Sequence, residues 1–194
     1  MKYLLLLSIS LCTTSLFAQH ITTTVEYIVD NTTANDTLIS YTPNKKLTWD
    51  DFQGTTEDKS EIAALTMSGF GYKMGYSSMG NNANLTISIS CNFVKHDSWV
   101  KPGKNTAYIL THEQHHFDIA YIQTKLFQKR LKEMKFTGKG FAQAIEDTYR
   151  EYKTALATMQ DEYDTETKHS QITDKQELWN KKIEELVVTV NGEL

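Results

Sequence analysis

Three histidines and an acid fall within five consecutive positions of the segment THEQHHFDIA, residues 111–120. His112 and His116 are four residues apart, so on a helix they lie one turn apart on the same side. Two imidazoles in this arrangement can bind one Zn²⁺, and Glu113 completes the pattern H-E-x-x-H. In such a site the carboxylate is the general base that takes a proton from a metal-activated water. The spacing therefore predicts a metal site with a catalytic base beside it.

A solvated, histidine-rich helix is the alternative interpretation of these residues. The flanking segments AYIL and FDIAYI favour a partly buried helix instead, in which an unpaired imidazole would be costly. We expect His115 to be exposed or to line the cleft. Asp118, about 200 degrees around the helix from His116, is expected to point away from the metal and to anchor the helix through a salt bridge or backbone contact.

A third metal ligand is expected from the partner helix of an antiparallel hairpin. Apolar residues at spacings of three and four predict one helix over 105–134 and a second over 141–161, separated by FTGKG. If the chain turns near Gly138, counting equal lengths on each side places residue 164 opposite His112. The hairpin therefore brings the ligand-rich segment DEYDTETKHSQ to the histidine pair.

Three residues of that segment are candidates for the third ligand. His169 is preferred, because three imidazoles complete a site that leaves one position open for water. Asp164 comes second and Glu166 third, since a carboxylate can also bind zinc.

The elements that position these residues follow a simple order along the chain. The N-terminal half predicts strands in HITTTVEYIVD and DTLISYT and a hairpin around MGNNAN, forming an antiparallel sheet with one face on the core. Cys91 lies on the apolar side of this hairpin and is expected to be a small buried hydrophobe. A third helix is predicted over 174–187. Strands followed by helices indicate an α+β fold.

Composition and the N-terminus restrict the class of protein. The first residues, MKYLLLLSISLCTTSLFAQH, have the plan of a secretory signal, which predicts a cleaved peptide at 1–18 and a single domain at 19–194. We therefore expect a secreted or periplasmic protein without stable membrane insertion after cleavage. The formal charge of −4 and the lack of a basic patch argue against a nucleic-acid partner.

Five segments of the chain resemble a family of exported bacterial proteins catalogued as domain of unknown function 922. They are LTWDDFQG at 47–54, SW at 98–99, HEQHHFDIA at 112–120, YDTETKHS at 163–170 and QELW at 176–179. The family is grouped with the zincin-type metallopeptidases, so the resemblance implies a zincin-like fold with a small sheet beside an active-site helix.

The resemblance also implies roles for individual residues. His112, His116 and His169 would be the metal ligands and Glu113 the general base. Glycine is usual in the family where His115 and Ser170 stand here, which bears on the local backbone and on the lining of the cleft. The four aromatics in or beside the matching segments, Trp49, Phe52, Trp99 and Trp179, are expected to pack in the core.

These inferences lead to one expected function and two rivals. The expected function is a secreted zinc-dependent peptidase that acts on peptides or proteins with Glu113 as base. The first rival is a non-catalytic metal-binding or envelope interaction module on a zincin-like scaffold. The second is a structural α+β domain that binds no metal.

Overall fold

The computed structural model describes residues 20–29, 37–56 and 61–192, so the predicted signal peptide lies outside the described residues. The strands precede the helices, which confirms the predicted α+β class. The elements are β1 (His20–Tyr27), β2 (Leu38–Ser40), β3 (Ala64–Leu65), β4 (Ser68–Met79), β5 (Asn82–Val94), β6 (Trp99–Val100), α1 (Ala107–Glu133), α2 (Phe141–Thr167) and α3 (Thr173–Gly192). No helix among the described residues is both long and apolar enough to span a membrane.

The predicted hairpin is formed by β4 and β5. Met79 pairs with Asn82, which leaves a two-residue turn in which Gly80 has φ +61°. A residue other than glycine is strained at such a φ. Alternate residues of β5 are buried, among them Cys91, as the period-two pattern predicted.

The prediction of a wholly antiparallel sheet is wrong, because β1 runs parallel to β5. Their register extends from His20 opposite Asn82 to Tyr27 opposite Ile89. β2 and β4 are both antiparallel to β5, so the sheet is mixed. Period-two alternation shows which side chains share a face of a strand and carries no information on its direction. The long connection from β1 to β5 permits the parallel arrangement.

The first helix, α1, is the centre of the molecule. It begins after Thr106, whose hydroxyl oxygen accepts a hydrogen bond from the backbone N–H of Ile109 at 3.2 Å. The sheet packs against α1, and so do α2 and α3. As a result, every side chain from His112 to Thr124 is buried, polar residues included. The flanking apolar residues predicted a partly buried helix. Between His112 and Thr124 the helix is instead buried on all sides.

The predicted hairpin of helices is also present. Gly138 and Gly140, with φ +59° and +108°, separate α1 from α2 as the segment FTGKG predicted. α2 extends past its predicted end, to Thr167. One hydrophobic cluster joins the sheet to all three helices. The predicted packing aromatics Phe52, Trp99 and Trp179 are buried, and Trp49 is half-buried against the same cluster.

Candidate metal centre

Three side chains from two helices converge on one point. His112 Nε2 and His116 Nε2 are 3.2 Å apart, and each lies 3.1 Å from Asp164 Oδ1. Ligands about 2.0–2.1 Å from a tetrahedral zinc ion are separated by about 3.3–3.4 Å, by the geometry of a tetrahedron. The three measured separations therefore form a triangle close to one face of such a coordination sphere. Residue 164 is also the position that the hairpin prediction placed opposite His112.

The outer nitrogens of both rings face glutamine oxygens. His112 Nδ1 lies 2.8 Å from Gln176 Oε1, and His116 Nδ1 is hydrogen-bonded to Gln160 Oε1. An amide oxygen only accepts hydrogen bonds, so each Nδ1 carries the proton. In a neutral ring Nε2 is then a lone-pair donor. Two such nitrogens and a carboxylate oxygen converge, an arrangement that requires a cation between them.

A proton satisfies this requirement in the metal-free chain. Burial lowers the pKa of His116, but its hydrogen bond to Asp164 and the negative charge there outweigh burial and raise the pKa to about 9. Burial raises the pKa of Asp164, yet the hydrogen bonds with His112 and His116 hold it well below its ordinary value. The site thus favours positive charge, and its set of two imidazoles and one carboxylate fits a divalent zinc ion.

Glu113 lies beside the three converging atoms. Its side chain is buried, at 3% exposure, and in the described part of the chain no hydrogen-bond donor reaches Oε2. An unpaired buried carboxylate is costly unless a positive charge is near it. Glu113 also lines a cleft of about 190 Å³ together with His112, His116 and Asp164. Glu113 therefore forms part of the cleft wall, with its Oε2 buried.

His169 lies at the edge of the site. Its Nδ1 is 3.2 Å from Asp164 Oδ1, and the side chain lines the cleft at 46% exposure. Among the described residues, one set of three donor atoms has every pair within 4.8 Å, and these atoms belong to His112, His116 and Asp164. Asp164 thus contacts both His112 and His116, whereas His169 contacts Asp164. Glu166, the third candidate, accepts a hydrogen bond from Trp179 Nε1 at 3.0 Å.

Residues 97–170 match a family model described as "Bacterial protein of unknown function (DUF922)". The matched segment contains α1, α2 and the turn that carries His169, and the description names no activity. It supports the family resemblance for this part of the chain, whereas LTWDDFQG at 47–54 and QELW at 176–179 lie outside it. No curated protein and no solved structure matches the chain.

Within the DUF922-like segment, the prediction for His115 is wrong. The side chain is buried and its Nδ1 lies 3.0 Å from Asp118 Oδ2. The reason is the packing on all sides of α1, which leaves this part of the helix without a solvent-facing side. Asp118 anchors the helix as predicted: it accepts hydrogen bonds from Tyr41 Oη and Gln114 Nε2, both at 2.8 Å, and lies 3.5 Å from Lys46 Nζ.

Three further residues contact the two histidines, and the sequence analysis did not predict these contacts. Gln160 precedes Asp164 by four residues and so lies on the same face of α2, a spacing that could have identified it. Gln176 comes from α3 and has no such local signal. Tyr163 stacks on His112 with ring centroids 4.5 Å apart and donates a hydrogen bond to the His112 carbonyl oxygen at 3.3 Å. Its hydroxyl is buried in these contacts, so Tyr163 holds His112 in place.

Proposed function

We propose that this protein is an exported zinc-dependent peptidase with a zincin-like fold. The observation that carries the proposal is the convergence of three electron-pair donors next to a buried glutamate whose Oε2 has no hydrogen-bond partner among the described residues. His112, His116 and Asp164 would hold the metal. His169, preferred as third ligand from the sequence, stays a prediction, and its contact with Asp164 makes the choice testable.

Each part of the site has a defined task in peptide hydrolysis. Zinc, when bound, supplies a Lewis acid that polarises a carbonyl group and makes water a better nucleophile at neutral pH. The Glu113 carboxylate accepts the proton of the attacking water and then passes it to the leaving amine. Burial keeps this carboxylate next to the reacting groups. Among the described residues no donor is hydrogen-bonded to Oε2, so the carboxylate keeps a free acceptor for the proton.

The cleft suits a peptide substrate. Residues 62–66, which include β3, line it together with side chains from α1 and α2. An extended peptide can lie along backbone of this kind and form main-chain hydrogen bonds with it. The zincin-like character rests on the same layout: a helix with H-E-x-x-H beside a sheet, and a following helix that brings an additional ligand.

Replacing the proposed base separates metal binding from hydrolysis. Glu113→Gln keeps the size of the side chain and removes its basicity, so the variant should bind zinc as the wild type does. Hydrolysis of a broad peptide library by the zinc-loaded variant should fall by about 10²- to 10⁴-fold, the usual contribution of a general base.

A matched control is available on the same helix. Glu133 is exposed near the C-terminal end of α1, and Glu133→Gln removes the same charge away from the cleft. This control should hydrolyse the library as the wild type does. Equal hydrolysis by Glu113→Gln and the wild type would refute the assigned mechanism.

A non-catalytic metal-binding module is the second candidate, and one observation favours it. His169 Nδ1 lies 3.2 Å from Asp164 Oδ1, so a further protein donor stands next to one of the three converging atoms. Structural zinc sites have four protein ligands and leave no open position. Stoichiometric zinc without any Glu113-dependent hydrolysis would support this candidate over the peptidase.

A further inference from the structure

We propose that Gln160 and Gln176 are positioning residues that lock both ligand imidazoles in the tautomer with Nε2 directed at the metal. The inference rests on the metal-binding part of the proposed function and is independent of hydrolysis. It assigns a role to two neutral amides from two different helices, one behind each histidine.

Gln176 is held in one orientation by its surroundings. The side chain is 0% exposed, and its Oε1 lies 2.8 Å from His112 Nδ1. Its Nε2 donates to Tyr163 Oη and, at 2.7 Å, to Asn180 Oδ1. A rotated amide would place its oxygen against the oxygen of Asn180 and lose that bond. The amide oxygen is therefore fixed towards His112, which requires a proton on Nδ1.

Gln160 holds His116 in the same way with a different second contact. Its Oε1 is hydrogen-bonded to His116 Nδ1, while its Nε2 donates to the His116 carbonyl oxygen at 3.0 Å. Rotating this amide would bring its oxygen against the backbone carbonyl oxygen. Gln160 is thus hydrogen-bonded to both the ring and the backbone of His116.

The neutral charge of both amides also matters. Among the described residues that line the cleft, the carboxylates are those of Asp164 and Glu113, so a zinc ion with this pair has a formal charge sum of zero. Carboxylates behind the imidazoles would add negative charge. A glutamine fixes the orientation of the imidazole ring and adds no negative charge to the site.

The test measures zinc affinity and ring tautomer in single variants of the full chain. Gln176→Met and Gln160→Met should each weaken zinc binding by about 10- to 100-fold in competition with a chromophoric chelator. Long-range ¹H–¹⁵N NMR of the zinc-loaded protein should show Nδ1–H with bound Nε2 for both rings in the wild type. Each variant should lose this signature for its own ring: His112 in the first and His116 in the second.

Two further variants make the result specific. Gln176→Glu keeps an acceptor for His112 Nδ1–H and should restore the tautomer lost with methionine, although its second oxygen loses the bond to Asn180 Oδ1. Gln123→Met removes a buried glutamine of α1 that contacts Met159 Sδ. This control should leave zinc affinity and both tautomers unchanged.

The outcomes distinguish the inference from the proposed function. If the wild type binds zinc and both methionine variants bind it equally tightly with unchanged tautomers, the positioning role is refuted while the metal centre stands. If the wild type binds no zinc, the metal centre fails and the positioning role fails with it. Loss of affinity with ring-specific loss of the tautomer, the tautomer of His112 being restored by Gln176→Glu, supports the inference.

Discussion

At the scale of single residues, the candidate site depends most on Asp164. Asp164 Oδ1 lies within 3.2 Å of three imidazoles, those of His112, His116 and His169. If Asp164 is a ligand and His169 only contacts it, Asp164→Ala should weaken zinc binding by more than about 100-fold, beyond the usual loss of a supporting residue. His169→Ala should weaken it by about tenfold or less, and a competition titration with a chelator measures both.

The control for this comparison is Glu162→Ala, which removes an exposed acid from the same helix and should not change zinc affinity. The reverse order, with His169→Ala the more damaging variant, would make His169 the third ligand, as the sequence alone suggested.

Residue types and helical spacing predicted most of the residues that converge in this candidate site. His112, Glu113 and His116 follow from the 3.6-residue period, and hairpin geometry located residue 164. The order of preference between Asp164 and His169 could not be derived in this way, because it depends on side-chain direction at the end of α2. The contact of Gln176 with His112 could not be predicted either, because it forms only when α3 packs on α1.

At the scale of elements, the turn after α2 is unusual. Lys168, His169 and Ser170 all have left-handed φ, at 47°, 50° and 68°. This conformation costs a residue other than glycine roughly 1–2 kcal/mol, and Ser170 has the largest φ of the three. Ser170→Gly should therefore raise the free energy of unfolding by about 0.5–1 kcal/mol, after the greater backbone freedom of glycine in the unfolded state.

Urea denaturation of the metal-free protein measures this effect, and Gly140→Ala is the matched control. Gly140 has φ +108°, so adding a side chain there should lower the free energy of unfolding. The two substitutions are thus expected to act in opposite directions. Destabilisation by Ser170→Gly would show that the turn is not strained by its side chain.

Elements were predictable from the sequence to different degrees. The helices and the β4–β5 hairpin follow from periodicity and from glycine-rich breaks, which are local signals. The parallel direction of β1 is set by the path of the chain between distant strands, and alternation within β1 gives no information on it. Burial of His115 likewise depends on how many layers cover α1 and not on the sequence of α1 alone.

At the scale of the whole molecule, the core of the fold and the proposed metal centre share one helix. α1 carries the histidine pair and also packs against β5, the central strand. A zinc ion that binds only the folded chain should stabilise it by RT ln(1 + [Zn]/Kd), about 2.7 kcal/mol at 100 times Kd. A probe of global unfolding should therefore report metal binding from a distant residue.

Cys91 provides such a probe. It lies fully buried on β5, and burial raises the pKa of its thiol to about 12. At pH 8 the folded chain has only about one thiolate in 10⁴, whereas the unfolded thiol, with a pKa of about 8.5, is partly ionised. Because the raised pKa belongs to the folded state, stability from this group is complete below the unfolded pKa and falls as the pH rises towards 12.

Labelling of Cys91 by a thiol reagent at pH 8 should accordingly require unfolding. We expect zinc at 100 times its Kd to slow labelling by about 100-fold, in proportion to the smaller unfolded population. His112→Ala should abolish this slowing, because the variant lacks a ligand, while its thiol stays protected by the core. Fast labelling of the native chain with or without zinc would show that β5 opens without global unfolding. Slow labelling that zinc does not change would mean that the converging donors of α1 and α2 do not bind the metal.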